Sequence, residues 1–129
     1  MTSPVQPARL RAIRGATCVD RDSPDEIYVA TRELLAEVVS RNSLGTADII
    51  SVIFTVTPDL RSAFPALAAR QMGWLDVPLL CTMEIPVPGA LGRCIRVLLH
   101  VETTLPRTAI QHVYLREAEN LRPELSRGQ

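Results

Sequence analysis

The chain contains no lysine. All fourteen of its basic residues are arginines, which excludes a Schiff-base lysine, a pyridoxal-phosphate lysine and a P-loop lysine. Codon usage in a GC-rich genome accounts for most of the arginines, and the exclusions hold either way. Cysteine is scarce as well. Cys18, Cys81 and Cys94 form no CxxC spacing, and with only His100 and His112 beside them no zinc-ligand pattern emerges. An odd cysteine count behind a leader unlike a signal peptide fits a reducing cytoplasm. No apolar run approaches the ~18 residues that would suggest a membrane span. Formal net charge is zero, which speaks against a nucleic-acid footprint. Neither a membrane nor a nucleic acid is therefore an expected partner.

What is present suffices for one domain over residues 1–129. Hydrophobic residues make up 47% of the 129, and a chain of this size buries roughly two thirds of its unfolded surface. Residues 1–8 read as a flexible leader, because Met1 to Pro7 lack the basic-then-apolar order of a signal peptide. Residues 116–129 are polar and read as a mobile tail.

Between them the pattern predicts five strands, one long helix and one short helix, an α+β (mixed α/β) fold with a five-stranded mixed sheet. Residues 9–18 form the first strand, with Gly15 marking a bulge or a close backbone approach to a ligand. Ser23-Pro24-Asp25-Glu26 reads as a capping box, with Ser23 as N-cap and Glu26 reaching back. The helix it opens runs to about Arg41, with an apolar stripe of Ile27, Leu34, Leu35, Val38 and Val39. Residues 49–56 are nearly continuous and β-branched, which predicts a strand buried on both faces. A short helix over 60–72 is disturbed by Pro65. Strands follow at 77–84, 93–103 and 110–115, with one helical turn near 105–109. One long helix covers only one face of such a sheet, so a second subunit is expected on the other.

The fourth strand carries the sharpest signal. Ile95, Val97, Leu99 and Val101 share one face; Cys94, Arg96, Leu98 and His100 share the other. Arg96 thus lies mid-strand, where a charge is costly unless something pairs with it. Arg14, between Ile13 and Gly15, is similar. Glu84 ends the third strand, and Tyr114 lies in the fifth. A structural ion pair between Glu84 and Arg96 is one reading. Two sheet arginines against one sheet carboxylate, with the surplus charge met by a small anionic ligand, is the other. Cys81 reads as a small buried side chain, Trp74 as a packing anchor and Phe64 as core or lid.

These stretches carry a resemblance. IRGAT (13–17), TPDLRSAFPA (57–66), Gly73-Trp74, VPLLCTMEI (77–85), RCIRVLLHV (93–101), HVYL (112–115) and LRPEL (121–125) come in order over nearly the whole chain. Together they resemble the monofunctional chorismate mutases of the trimeric pseudo-α/β-barrel class, not the all-helical class. Leu67 stands where that family can carry a lysine, and the segment before Gly73 is one residue short. Neither departure touches the central arginines or Glu84.

The resemblance implies a homotrimer with sites at subunit interfaces. It implies rearrangement of chorismate to prephenate on the way to phenylalanine and tyrosine, without metal or cofactor. Arg14 and Tyr114 would hold substrate carboxylate, and Arg96 the ether oxygen. Glu84 would accept from the ring hydroxyl, with the backbone of Cys81 beside it. Phe64 and Arg70 would come from a neighbouring subunit, Leu79 and Leu80 would line the pocket, and Leu121 and Arg122 would close over it. Two rivals remain at this point: a trimeric imine or enamine hydrolase of the Rid type, and a non-catalytic binder of an aromatic-pathway dianion.

Overall fold

The computed structural model of the chain describes residues 6–121. Five strands and two α-helices follow in the order β1 (Arg9–Cys18), α1 (Pro24–Arg41), β2 (Ile49–Val56), α2 (Pro65–Gln71), β3 (Leu79–Met83), β4 (Cys94–Thr103) and β5 (Val113–Tyr114). Single 3₁₀ segments lie at Thr46–Asp48, Arg107–Ala109 and Arg116–Leu121. The sheet order is β3-β2-β4-β1-β5. β4 runs antiparallel to both neighbours, while the outer pairs β2/β3 and β1/β5 are parallel. The expected mixed five-stranded α+β architecture is what the chain adopts.

The helices cover one face. Leu34, Leu35 and Val38 of α1 pack on Ile13, Val52, Phe54, Val97, Leu99 and Val101, with Trp74 anchored in the same cluster. Each such fully buried side chain contributes about 1.5–3 kcal/mol. Gly15 is where the helix comes closest. A Cβ there would lie 3.1 Å from both Leu34 Cδ1 and Val97 Cγ2. A side chain at Gly15 would therefore meet the core, and the unbroken β1/β4 register leaves no bulge there. The register shift falls instead in β2, between Ile49 and Ser51.

Local signals account for most element ends. Ser23 Oγ accepts from the Glu26 N–H at 3.2 Å, and Pro24 takes the first helical turn. The Glu26 carboxylate does not close a reciprocal box. It passes Ser23 and accepts from the main-chain N–H groups of Asp20 and Arg21 and, at 2.8 Å, from the Arg21 guanidinium. Pro65 starts α2 rather than disturbing it, because the first helical turn needs no N–H from that residue. β2 departs from its expected burial on both faces. Ile49, Val52 and Phe54 are buried under the helices, while Ile53 and Thr55 on the other face are only half-buried.

β5 is shorter than the expected 110–115. Buried Asn42, at the end of α1, donates from Nδ2 to the carbonyls of Val38 and Gln111, both at 2.9 Å, and accepts from the Gln111 N–H at 2.8 Å. Both polar main-chain groups of Gln111 are therefore spent on Asn42, so the ladder begins only at Val113. Past β5, Arg116 adopts a positive φ of 55° and leads into the 3₁₀ segment. Ala118 and Leu121 of that segment pack on Ala16, Cys18 and Cys94. Among the described residues, no helix is long and apolar enough to cross a membrane.

Candidate active site

The uncovered face of the sheet carries the chemistry-bearing side chains, and register alone aligns them. Arg96 lies directly opposite Thr55 of β2 on one side and Ala16 of β1 on the other. Ala16 lies opposite Tyr114 of β5, and Thr55 opposite Thr82 of β3. Partners in register point to the same face. A row therefore runs Thr82, Thr55, Arg96, Ala16, Tyr114 across the sheet. Arg14 lies in the next row, opposite Leu98. That places it diagonally from Arg96, with roughly 7–8 Å between their backbone positions, a span suited to two ends of a small anion.

These groups surround a cavity of about 230 Å³. Arg14, Arg96, Glu84, Thr55, Tyr114 and Leu121 line it, with Ile53 and Leu98 as an apolar floor. Ala16, small and fully buried, leaves room between the arginine and the tyrosine. Glu84 follows the last residue of β3, and its N–H still donates to the Val56 carbonyl at 2.9 Å. Its carboxylate accepts from the Thr55 hydroxyl, and Arg96 Nε lies 3.7 Å from the same Oε2. The Arg96 and Glu84 side chains are 31% and 23% exposed. Partial burial strengthens their attraction and raises the cost of desolvation together.

Two further contacts support residues of the cavity from behind. The Arg14 main-chain N–H donates to His112 Nδ1 at 2.9 Å. Burial, and then the positive charge of Arg14, push the His112 imidazole below its ordinary pKa, so the ring stays neutral and Nδ1 stays an acceptor. On the other side, Arg116 donates to the Cys18 carbonyl at 3.2 Å and approaches Glu33 at 3.4 Å. That fastens the segment which delivers Leu121 to the cavity.

The arrangement can bind a compact anion at two guanidinium groups and a phenol, and can present one carboxylate to a hydroxyl. Among the described residues, no group of three or more His, Cys, Asp or Glu side chains could hold a metal ion.

The sequence model of the family described as chorismate mutase type I matches residues 10–125. The chain is 52% identical over 121 residues to the chorismate mutase AroH of Thermus thermophilus, covering 93% of this chain and 99% of that protein. It is 43% identical over 118 residues to the chorismate mutase AroH of Bacillus subtilis strain 168, covering 91% and 93%. A solved chorismate mutase from Clostridium thermocellum superposes with a TM-score of 0.84 at 53% identity, covering 84% of this chain and 97% of the other.

The chain belongs to the type I chorismate mutase family.

In this family member, Arg14, Glu84, Arg96, Tyr114 and Leu121 come together in one cavity. Others of the expected residues lie elsewhere in the single chain. Leu79 turns into the helix-covered core. Leu80 is on the open face but 60% exposed at the outer strand. Cys81 pairs in register with buried Phe54, so its side chain faces the helices, where burial pushes its thiol pKa up. The cysteine side chain is thus kept from the cavity. Phe64, 73% exposed, shares a separate cavity with Cys81 and Met83, and Arg70 is exposed on α2. Arg122 lies outside the described residues. Thr55 and Ala16 escaped the sequence reading as neighbours of Arg96, and His112 entered it without its bond to Arg14. Thr55 was signalled only as the lone polar residue between Phe54 and Val56, and register was needed to set it beside Arg96.

Proposed function

We propose that the chain catalyses the rearrangement of chorismate to prephenate. The observation that carries this reading is Arg96 and Glu84, 3.7 Å apart, in a cavity that also holds Arg14 and Tyr114. The reaction is unimolecular: one carbon–oxygen bond breaks and one carbon–carbon bond forms, with no nucleophile, proton transfer or metal required. The protein's task is to fold the substrate and to meet developing charge.

Arg14 and Tyr114 hold carboxylate and keep the two reacting arms together, a near-attack effect. Arg96 donates to the ether oxygen, where negative charge grows as the carbon–oxygen bond breaks. Removing a preorganised donor of this kind costs about 3–4 kcal/mol. Glu84, its geometry set by Thr55, accepts from the ring hydroxyl beside the Cys81 backbone and faces the positive charge that spreads over the ring. Leu121 borders the open side.

The working assembly in this proposal is a cytoplasmic homotrimer. The partner subunit's Phe64 and the partner subunit's Arg70 complete each site, and Leu80 borders it. Leu80, 60% exposed on the open face, supports a partner on this side of the sheet, and Phe64 and Met83 (73% and 60%) expose further apolar surface at the helix side of the same outer strand.

The test is direct. Purified protein should consume chorismate, seen as loss of its ultraviolet absorbance, and sedimentation should give three chains per particle. No consumption of chorismate sinks the catalytic reading, and a fully active monomer sinks the trimer.

A further inference from the structure

We propose that Cys18 and Cys94 form an oxidisable dithiol, a site at which a peroxide installs an intrachain disulfide between β1 and β4. The two residues are far apart in sequence and directly opposite in the sheet. Their Sγ atoms lie 2.8 Å apart. The neighbouring pair, Val19 and Arg93, is joined by a main-chain hydrogen bond from Val19 N to Arg93 O at 2.9 Å. The backbone of Cys94 turns the other way: its N–H donates to Thr57 Oγ1 and its carbonyl accepts from the Thr57 N–H, both at 3.0 Å. Cys18 and Cys94 therefore occupy a non-hydrogen-bonded position of the ladder. Backbones come closest there, at roughly 4.5 Å between Cα atoms, inside the roughly 4.4–6.8 Å that a disulfide accepts.

The surroundings also favour thiolate chemistry at one sulfur. The Cys94 thiol donates toward Cys18 and draws the Cys18 pKa down, assisted by the charges of Arg93 and Arg96, while Cys94 itself is pushed up. Cys18 is the attacking sulfur and Cys94 the resolving one. With hydrogen peroxide as oxidant, the Cys18 thiolate takes one peroxide oxygen as the oxygen–oxygen bond breaks. This gives a sulfenic acid and releases hydroxide. Cys94 sulfur then attacks Cys18 sulfur, the Cys94 proton goes to the departing oxygen, which leaves as water, the earlier hydroxide takes up the proton that Cys18 had lost, and the disulfide forms. One peroxide is reduced to two waters as the two thiols are oxidised.

The pair is specific. Cys81 lies on the opposite face of the sheet and cannot reach either sulfur. Among the described residues, the cover over the pair is Leu91, Tyr114 and the segment carrying Ala118 and Leu121. Local opening of that short segment gives a small neutral oxidant access. A bond here would also pin β1 to β4 two positions from Arg96 and beneath Leu121.

The experiment treats the native, full-length protein with hydrogen peroxide, blocks remaining thiols, denatures, and reads mass and peptide map. The expected result is loss of the mass of two hydrogens, one crosslinked peptide holding Cys18 and Cys94, and a fall from the three thiols of the chain to one. Dithiothreitol should restore all of them. Cys81→Ser should crosslink as wild type does. Three unreacted thiols, a link involving Cys81, or over-oxidation of Cys18 with Cys94 untouched would each overturn the proposal. None of these readouts depends on turnover, so the inference stands or falls separately from the proposed reaction.

Discussion

Arg96 Nε lies 3.7 Å from Glu84 Oε2 across the β2 strand that separates their backbones. The same oxygen accepts the Thr55 hydroxyl. One carboxylate oxygen is thus held by a strand neighbour and the arginine together, which leaves the other oxygen for a ligand.

Arg96→Lys is expected to lose about 10²-fold or more in kcat, because lysine lacks the planar fork that holds a carboxylate and an ether oxygen at once. Steady-state chorismate turnover measures this. Near-normal kcat would remove Arg96 from the role given to it.

Thr55→Val keeps the shape of the side chain and deletes the hydroxyl. Glu84 then loses a hydrogen bond to a charged acceptor, worth about 1.5–3 kcal/mol. A fall in kcat on the order of tenfold or more is expected, with Thr55→Ser close to wild type. Equal loss in both variants would point to packing instead.

His112 sets a pH dependence. Its folded pKa is depressed, so below the ordinary value, about 6.5, the unfolded chain binds a proton that the folded chain resists. Stability contributed by neutral His112 is therefore present above that value and is lost as pH falls through it. Protonation also turns Nδ1 into a donor facing the Arg14 N–H. Urea midpoints measured from pH 7.5 to 5.5 (about one unit either side of that value) should decline in the wild type and flatten in His112→Gln. Parallel slopes in the two proteins would contradict this.

Asn42→Ala removes three hydrogen bonds that join the end of α1 to the approach to β5. The orphaned groups of Gln111 are the larger part of the cost, and a loss of about 2–4 kcal/mol is expected from chemical denaturation. A change under ~0.5 kcal/mol would mean that water replaces the side chain.

Much of this protein was legible without coordinates because its signals are local. The bounds of β1 and α1 follow from alternation, from Ser23-Pro24 and from the apolar stripe. The two faces of β4 follow from a period of two, which already isolates Arg96 on a different face from Ile95 and Val97. Hydrophobic pattern likewise announced a sheet with one uncovered side. Tertiary structure alone decided the rest. Sequence spacing separates Cys18 from Cys94, and only antiparallel register sets them sulfur to sulfur. Gly15 promised a close approach, and only the docking of α1 showed that Leu34 makes it. Thr55 and Ala16 became neighbours of Arg96 because two strands from distant parts of the chain flank β4. Alternation along a strand is written in neighbouring residues, but which residue lies opposite depends on how separated segments pack, and that is settled by the burial of the whole core at once.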